Sequence, residues 1–144
     1  MREDRLARLV PELLVTDLSA SLKFWVDLCG FSILYQREEE RFAFLDLDGA
    51  QVMLDELRGN GRWVTGPLDR PFGRGLNLEI KVAAVEPLIA GFEAGGWPLY
   101  QGLEEQWYRS NDVEIGVRQF LVQDPDGYLL RFSARIGTRP CPGR

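Results

Sequence analysis

The 144-residue sequence contains no histidine. Neutral imidazole is the usual general base near pH 7 and the commonest ligand of transition metals. Ser-His-Asp and Cys-His catalysis are therefore excluded within this chain, and so are metal sites built on histidine. We expect no catalytic residues of these types, no metal centre and no cofactor.

Cysteines and long apolar runs are also scarce. Cys29 lies in a predicted helix and Cys141 in a tail rich in proline and glycine, so we expect no disulfide between them. Cys29 is expected to be a buried, unreactive thiol. No apolar run approaches the 18 residues that suggest a transmembrane helix, and residues 1–8 lack the apolar segment of a signal peptide. The sequence predicts a cytoplasmic protein with no membrane partner.

The formal net charge is −5, from 22 acidic and 17 basic residues. Binding to phosphate backbones needs a basic face, so nucleic acid is not an expected partner. Long-range attraction would instead favour a cationic ligand. An acidic balance can also do no more than keep a protein soluble.

The most informative segment joins two predicted strands near the C-terminus. In Asp124–Gly127, proline fixes one φ angle near −65° and glycine permits a positive one, so a tight turn is predicted. In the strand that follows, Arg131 lies on the face opposite Leu130 and Phe132. If those two residues pack into a core, Arg131 points into the space that the sheet encloses.

Two β-α-β-β-β modules are predicted on either side of a Gly/Pro-rich loop at 57–75. The first covers about 9–56, with strands at 9–15, 31–36, 41–48 and 51–55 and a helix that ends at Gly30 and has Thr16 or Asp17 as its N-cap. The second covers about 76–134, with a strand at 76–82, a helix from 83 or 84 to 95–96, and strands at 97–101, 106–109 with 115–123, and 128–133.

The modules can be overlaid, Val15–Leu18 on Val82–Val85 and Leu34–Gln36 on Leu99–Gln101, which indicates an internal duplication. A helix can cover one face of each four-stranded sheet. The predicted fold is α+β, a single domain in which two curved mixed sheets surround a concave ligand cavity.

The segment that begins at Val15-Thr-Asp-Leu18 and runs to Phe24-Trp25, together with the turn and strand from Asp124 to Phe132, resembles the vicinal-oxygen-chelate superfamily. This superfamily contains glyoxalases, extradiol dioxygenases and bleomycin-resistance proteins. The loop from Gly66 to Asn77, which follows Trp63, is similar to the bleomycin-resistance branch. That resemblance implies a homodimer, with an N-terminal strand often exchanged, that sequesters an antibiotic in grooves at the subunit interface without chemistry.

The resemblance also implies where metalloenzyme members would place four metal ligands. These positions are Val10, a residue near Leu54 (Asp55 or Glu56 if the register slips), Asn77 and Arg131. Two apolar side chains, an amide and a fixed cation cannot bind a divalent metal. This departure argues against glyoxalase I, dioxygenase and metal-dependent fosfomycin-transferase activity, and favours a binding protein.

Candidate ligand-binding residues follow from strand alternation and from exposed rings. If Ala43, Leu45 and Leu47 face a helix, aromatic rings and carboxylates face the cavity, which suits a flat cationic ligand. Loop and second-module residues complete the set: Glu12, Phe42, Phe44, Asp46, Glu56, Trp63, Phe72, Asn77, Glu79, Trp107, Tyr108 and Arg131.

Several of these residues have a structural alternative. Phe42 and Phe44 would be ordinary core if the strand phase is shifted by one residue. Glu79 and Arg131 could form an internal ion pair. Trp107 and Tyr108 could pack in a dimer interface, and Trp25 is expected in the core.

Three functions stay open. The first is sequestration of a bleomycin-type or other cationic aromatic antibiotic. The second is a lyase or isomerase without a histidine metal site, using Glu12, Asp46, Glu56 or Glu79 as acid or base. The third is binding of another aromatic metabolite.

Overall fold

The computed structural model describes residues 5–58 and 63–142. The predicted α+β fold with two four-stranded sheets is confirmed, with strand orders β1-β4-β3-β2 and β5-β8-β7-β6. The elements are β1 Glu12–Val15, α1 Leu18–Leu22, a π-helical turn Lys23–Leu28, β2 Ser32–Arg37, a 3₁₀ turn Glu38–Glu40, β3 Phe42–Leu47, β4 Ala50–Glu56, β5 Asn77–Lys81, α2 Glu86–Ala94, β6 Gln101–Ser110, β7 Val113–Gln123 and β8 Leu129–Pro140.

The chain divides into two compact units. The first comprises Met1–Phe72 with the turn Asp124–Gly127, and the second comprises Gly73–Gln123 with Tyr128–Arg144. In each sheet a parallel pair (β1 with β4, β5 with β8) joins two antiparallel pairs, as expected for repeated modules. No helix in the described part of the chain is both long enough and apolar enough to cross a bilayer.

The helix of the first unit begins and ends as its sequence predicts. Asp17 is the N-cap, its Oδ1 accepting a hydrogen bond from the N–H of Ala20 at 3.2 Å. Gly30 follows the helix with φ of +87°, a conformation that glycine adopts without steric cost. Trp25 lies in the core as predicted, 1% exposed, with its ring edge-on to Phe31.

The helix of the second unit covers its sheet through aromatic contacts. Phe92 on α2 meets Phe120 edge-on at 5.9 Å between ring centroids, and Phe120 stacks on Phe132 at 5.4 Å. All three rings are fully buried. Leu130 is buried beside them while Arg131 points the other way, so the predicted alternation in β8 is confirmed.

The strand predicted at 97–101 is wrong. Apart from Gln101 this segment is irregular, because Pro98 has no N–H to donate to a neighbouring strand. The strand instead runs without a break from Gln101 to Ser110 and turns back at Asn111-Asp112, where Asn111 has φ of +58°. An Asn in this conformation is typical of a two-residue hairpin turn, whereas no turn is predicted from the sequence between 106–109 and 115–123.

Both cysteines are buried free thiols. Burial, and after it the charge of Asp124, raises the pKa of the Cys29 thiol well above its ordinary value. A thiol is inert when it is not ionised, so the expectation of an unreactive Cys29 agrees with the structure.

Candidate functional site

The face of the first sheet that is not covered by α1 carries a mixed polar and aromatic row. Strand pairing aligns Leu14 with Asp55, Asp55 with Phe42, and Phe42 with Arg37, which places one residue from each of the four strands side by side. The residues on the opposite face include Leu13, Ala43, Leu45 and Leu54, all at most 4% exposed. Alternation along each strand thus separates the helix-covered core from a second face, on which Phe42 and Phe44 are also buried, at 3% and 4% exposed.

This face borders a cavity of about 370 Å³. That volume falls within the range of about 300–1,000 Å³ typical of small-molecule pockets. Residues from all four strands and from the segments after β2 and β4 line it: Glu12, Leu14, Arg37, Glu40, Phe42, Asp55, Glu56, Leu57, Arg58 and Trp63.

The lining has an excess of negative charge, because four of these residues are carboxylates and two are arginines. Several of these carboxylates already have partners within the chain, Glu56 and Glu40 among them. Glu56 accepts a hydrogen bond from the N–H of Leu18 at 2.9 Å and pairs with Arg41 at 3.4 Å.

Arg37 lies over an aromatic ring in this cavity. Its guanidinium carbon is 4.1 Å from the ring centroid of Phe42, and its Nε donates to Glu40 Oε2. Tyr35 continues the aromatic surface, stacked on Phe44 at 5.1 Å between centroids. The cavity thus holds a guanidinium between a ring and a carboxylate, using the chain's own side chain.

Asp55 is the carboxylate next to Phe42 in the row. Burial raises its pKa; Arg58 opposes this shift, Glu40 adds to it, and Arg37 opposes it. In residues 5–58 and 63–142 no arginine or lysine lies within ion-pair distance of its carboxylate. A ligand cation would therefore gain from pairing with this group.

Trp63 supplies an exposed ring to the same cavity. Its side chain is 60% exposed and lies among the lining residues. The other loop aromatic that the sequence had selected, Phe72, is only 6% exposed, and its N–H donates to the carbonyl of Asp126. Phe72 is therefore buried, and it is not among the residues that line the cavity.

In the second unit, Arg131 is at the centre of a hydrogen-bonded cluster on the uncovered face of the sheet. Its Nε donates to Asn77 Oδ1 at 3.2 Å and its Nη1 to Gln119 Oε1 at 3.3 Å. Glu79 lies 3.6 Å from Nη2 and accepts a 2.8 Å hydrogen bond from Ser133. The structural alternative for Glu79 and Arg131, an internal ion pair, is therefore what the structure contains.

Trp107 and Tyr108 lie on β6 and also have partners within the second unit. Trp107 packs against Gly116, and the guanidinium of Arg139 lies 4.1 Å from its ring centroid. The hydroxyl of Tyr108 accepts a 2.7 Å hydrogen bond from Gln119.

The chain's sequence from residue 5 to residue 132 matches the family model described as the Glyoxalase/Bleomycin resistance protein/Dioxygenase superfamily. The chain belongs to this superfamily. A superfamily member from Vibrio splendidus 12B01 is 38% identical, covering 90% of this chain and 98% of that one, with a TM-score of 0.40. No curated protein is found to match.

Two further solved structures share the superfamily's fold. TioX from Micromonospora sp. ML1 is 23% identical, covering 90% of this chain and 99% of that one, with a TM-score of 0.69. Lactoylglutathione lyase from Agrobacterium tumefaciens is 18% identical, covering 89% and 92%, with a TM-score of 0.60. At these identities the likeness establishes the fold and leaves the activity open.

The four positions at which the resemblance implied metal ligands are occupied in each unit by side chains with other roles. Val10 precedes β1, Leu54 is fully buried on the helix-covered face, and Asn77 is hydrogen-bonded to Arg131. Residues 5–58 and 63–142 contain no cluster of three or more Cys, Asp or Glu side chains arranged to hold a metal ion.

Of the sequence-selected residues, the cavity brings together Glu12, Phe42, Glu56 and Trp63. Phe44 and Asp46 share the face of Phe42 but lie outside the lining; Asp46 accepts hydrogen bonds from Gln51 and from the N–H of Gly49. Strand alternation predicts that Leu54 and Glu56 both face the cavity. Leu54 instead points into the core and Asp55 aligns with Phe42, while Glu56 lines the cavity at the end of β4.

Sequence reasoning missed four charged lining residues, namely Arg37, Glu40, Asp55 and Arg58. From the sequence, Glu38–Glu40 is predicted only to be a charged connection between two strands. The available signal was the charge alternation around it, with arginines at 37 and 41 enclosing three glutamates. Asp55 had been considered only for the case of a shifted register.

Proposed function

We propose that this protein binds a cationic aromatic small molecule without the help of a metal, in the cavity of the first unit. The observation that carries the proposal is the combination of rings and excess carboxylates around about 370 Å³. Phe42 and Trp63 supply the rings, and Asp55 is a partly buried carboxylate without an arginine or lysine at ion-pair distance in the described part of the chain.

A bleomycin-type antibiotic is the first ligand class to test. Such drugs carry flat heteroaromatic rings and a cationic tail, which match stacking on aromatic side chains and pairing with carboxylates. The proposed outcome of binding is sequestration, in which the ligand is held and released unchanged. A different aromatic metabolite with a cationic group would satisfy the same contacts.

Tryptophan fluorescence during titration with metal-free bleomycin tests the proposal. Trp63 borders the cavity, whereas Trp107 lies on β6 in the second unit. We expect a saturable change in emission that Trp63→Phe abolishes and the matched control Trp107→Phe retains. If no bleomycin-group antibiotic changes the emission of the wild-type protein, that ligand class is removed, and a panel of other cationic aromatic molecules decides the wider proposal.

An enzyme that works without a metal is the second candidate. It is favoured by one observation, the raised pKa of Asp55 in a cavity that also contains Glu12, Glu40 and Glu56. A carboxyl group with a raised pKa is suited to general acid or base catalysis. Conversion of a bound ligand, lost in Asp55→Asn and unaffected by a chelator, would support this candidate over sequestration.

We also propose that the protein forms a homodimer. The support is exposed apolar surface on the long strands of the second unit, where Leu103, Tyr108, Val113 and Ile136 are 40–49% exposed. Since β1 pairs with β4 of its own chain, exchange of that strand is not required. Light scattering at micromolar concentration should give twice the 16.4 kDa chain mass; a monomer would contradict the proposal.

A further inference from the structure

Arg37 occupies the aromatic part of the cavity in the way that a ligand cation would. Its guanidinium carbon lies 4.1 Å from the centroid of Phe42 and 5.9 Å from that of Tyr35. Glu40, in the 3₁₀ turn that follows β2, accepts a hydrogen bond from the Nε of Arg37. A flat cation on a ring, held by one carboxylate, is the recognition pattern of a guanidinium ligand.

The hold on Arg37 is weak enough to be exchanged. The side chains of Arg37 and Glu40 are 43% and 48% exposed, so water competes for both. Both belong to a short segment at the end of β2, where Glu38–Glu40 form a single 3₁₀ turn. Phe42 is 3% exposed with Arg37 in place, and rotation of the Arg37 side chain into solvent would remove the guanidinium from its ring without moving a strand.

A second carboxylate lies next to the ring that Arg37 covers. Asp55 is the cross-strand partner of Phe42, and directly paired residues of antiparallel strands have Cβ atoms about 5 Å apart. Arg37 already pairs with Glu40, and its charge still acts on Asp55. A cation placed on Phe42 can therefore lie between Glu40 and Asp55, a geometry that suits the several N–H donors of a guanidinium.

We propose that Arg37 is an internal occupant of the cavity and that the ligand's cationic group is a guanidinium or amidinium, which displaces Arg37 from Phe42 and pairs with Asp55. This inference rests on the proposed function, because it identifies the ligand class for the same site. The apparent affinity equals the intrinsic affinity multiplied by the fraction of time that Arg37 leaves the ring uncovered. If Arg37 covers the ring about 90% of the time, its removal should tighten binding about tenfold.

Calorimetric titration with three matched probes tests this inference. The probes are 2-(1-naphthyl)ethylguanidine, the corresponding primary amine and the corresponding neutral alcohol. We expect the wild-type protein to bind them in that order, guanidine most tightly. Arg37→Gln should tighten guanidine binding about tenfold, because it removes the competing internal cation. Asp55→Asn should weaken binding about tenfold, because it removes the carboxylate that pairs with the ligand.

Arg58→Gln is the matched control for charge, because Arg58 also lines the cavity but has no ring contact among those observed. Arg118→Gln is the control for losing an exposed Arg–Glu pair elsewhere, since Arg118 pairs with Glu86 at 3.1 Å. If Arg58→Gln tightens binding as much as Arg37→Gln, net charge explains the effect and the inference is overturned.

The Nε–Hε resonance of Arg37 gives an independent readout by NMR. On saturation with the guanidine it should move towards the position of a solvated arginine, while the Arg118 resonance stays in place. Binding at the cavity with an unmoved Arg37 resonance would overturn the inference and leave the proposed function intact. Absence of binding by all three probes, in the wild type and in Arg37→Gln, would count against both.

Discussion

The carboxylate of Asp126 accepts two hydrogen bonds from Thr16, which lies 110 positions earlier in the chain. Oδ2 accepts from the backbone N–H at 3.0 Å, and Oδ1 accepts from the hydroxyl at 2.7 Å. Arg70 adds a third donor at 3.0 Å from Oδ1. The turn between the last two strands is therefore bound to the start of the first helix and to the long loop.

The first prediction is that Asp126→Asn lowers the free energy of unfolding by about 1.5–3 kcal/mol, the range for a hydrogen bond to a charged group. Asp126 is only 1% exposed, and an amide nitrogen cannot accept from the N–H of Thr16. Urea denaturation followed by circular dichroism measures the change.

Arg70→Gln is the control for the ion pair. Its side chain is 59% exposed, so we expect a loss below about 1 kcal/mol. Equal losses in the two variants would show that the ion pair with Arg70, and not the pair of bonds to Thr16, stabilises the turn.

The second prediction concerns Gly116, which lies under the ring of Trp107. A Cβ atom there would be 2.7 Å from two carbons of the indole, closer than side chains pack. Gly116→Ala should therefore cost about 1–3 kcal/mol, the usual range for overpacking, and change the emission of Trp107. Gly102→Ala on the neighbouring strand is the matched control, because no atom lies within 4 Å of its added Cβ.

The third prediction is a gain in stability from Gly91→Ala. Gly91 lies inside α2, and an added Cβ would have no atom within 4 Å. Alanine has less backbone freedom in the unfolded chain, so the substitution should stabilise the protein by about 0.5–1 kcal/mol. Thermal unfolding measures the shift; a lower midpoint than in the wild type would contradict the prediction.

The fourth prediction is that binding of a guanidine probe weakens in acid. The cation binds the ionised form of Asp55, so affinity is complete above the pKa of this group and falls as pH drops through it. Because burial raises that pKa above its ordinary 3.8, the loss should begin at a higher pH than for an exposed aspartate. Calorimetric titrations at intervals of about one pH unit, between about pH 4 and about pH 8, measure how the affinity depends on pH.

Asp55→Asn separates this titration from that of the other cavity carboxylates. In this variant the affinity should be lower at neutral pH and depend less on pH. A profile identical in shape to that of the wild type would assign the pH dependence to Glu12, Glu40 or Glu56 instead.

Much of the fold could be predicted from local signals. Alternation in β8 placed Leu130 and Phe132 inward, Asp17 and Gly30 marked the ends of the first helix, and Asp124–Gly127 was recognised as a turn. Each of these features is set by residues close together in the sequence, so the local sequence pattern is sufficient to predict it. The missed Asn111-Asp112 hairpin was equally local, and its turn chemistry was in the sequence.

The sequence by itself determined the superfamily, the duplicated α+β fold and the exclusion of histidine chemistry. Only the tertiary structure decided which residues share the cavity: Asp55 rather than Glu56 next to Phe42, and Arg37 on the ring. The physical reason is that strand register sets which face a side chain occupies, and a shift of one residue exchanges the faces. That register depends on pairing between strands distant in sequence, which a local pattern does not contain.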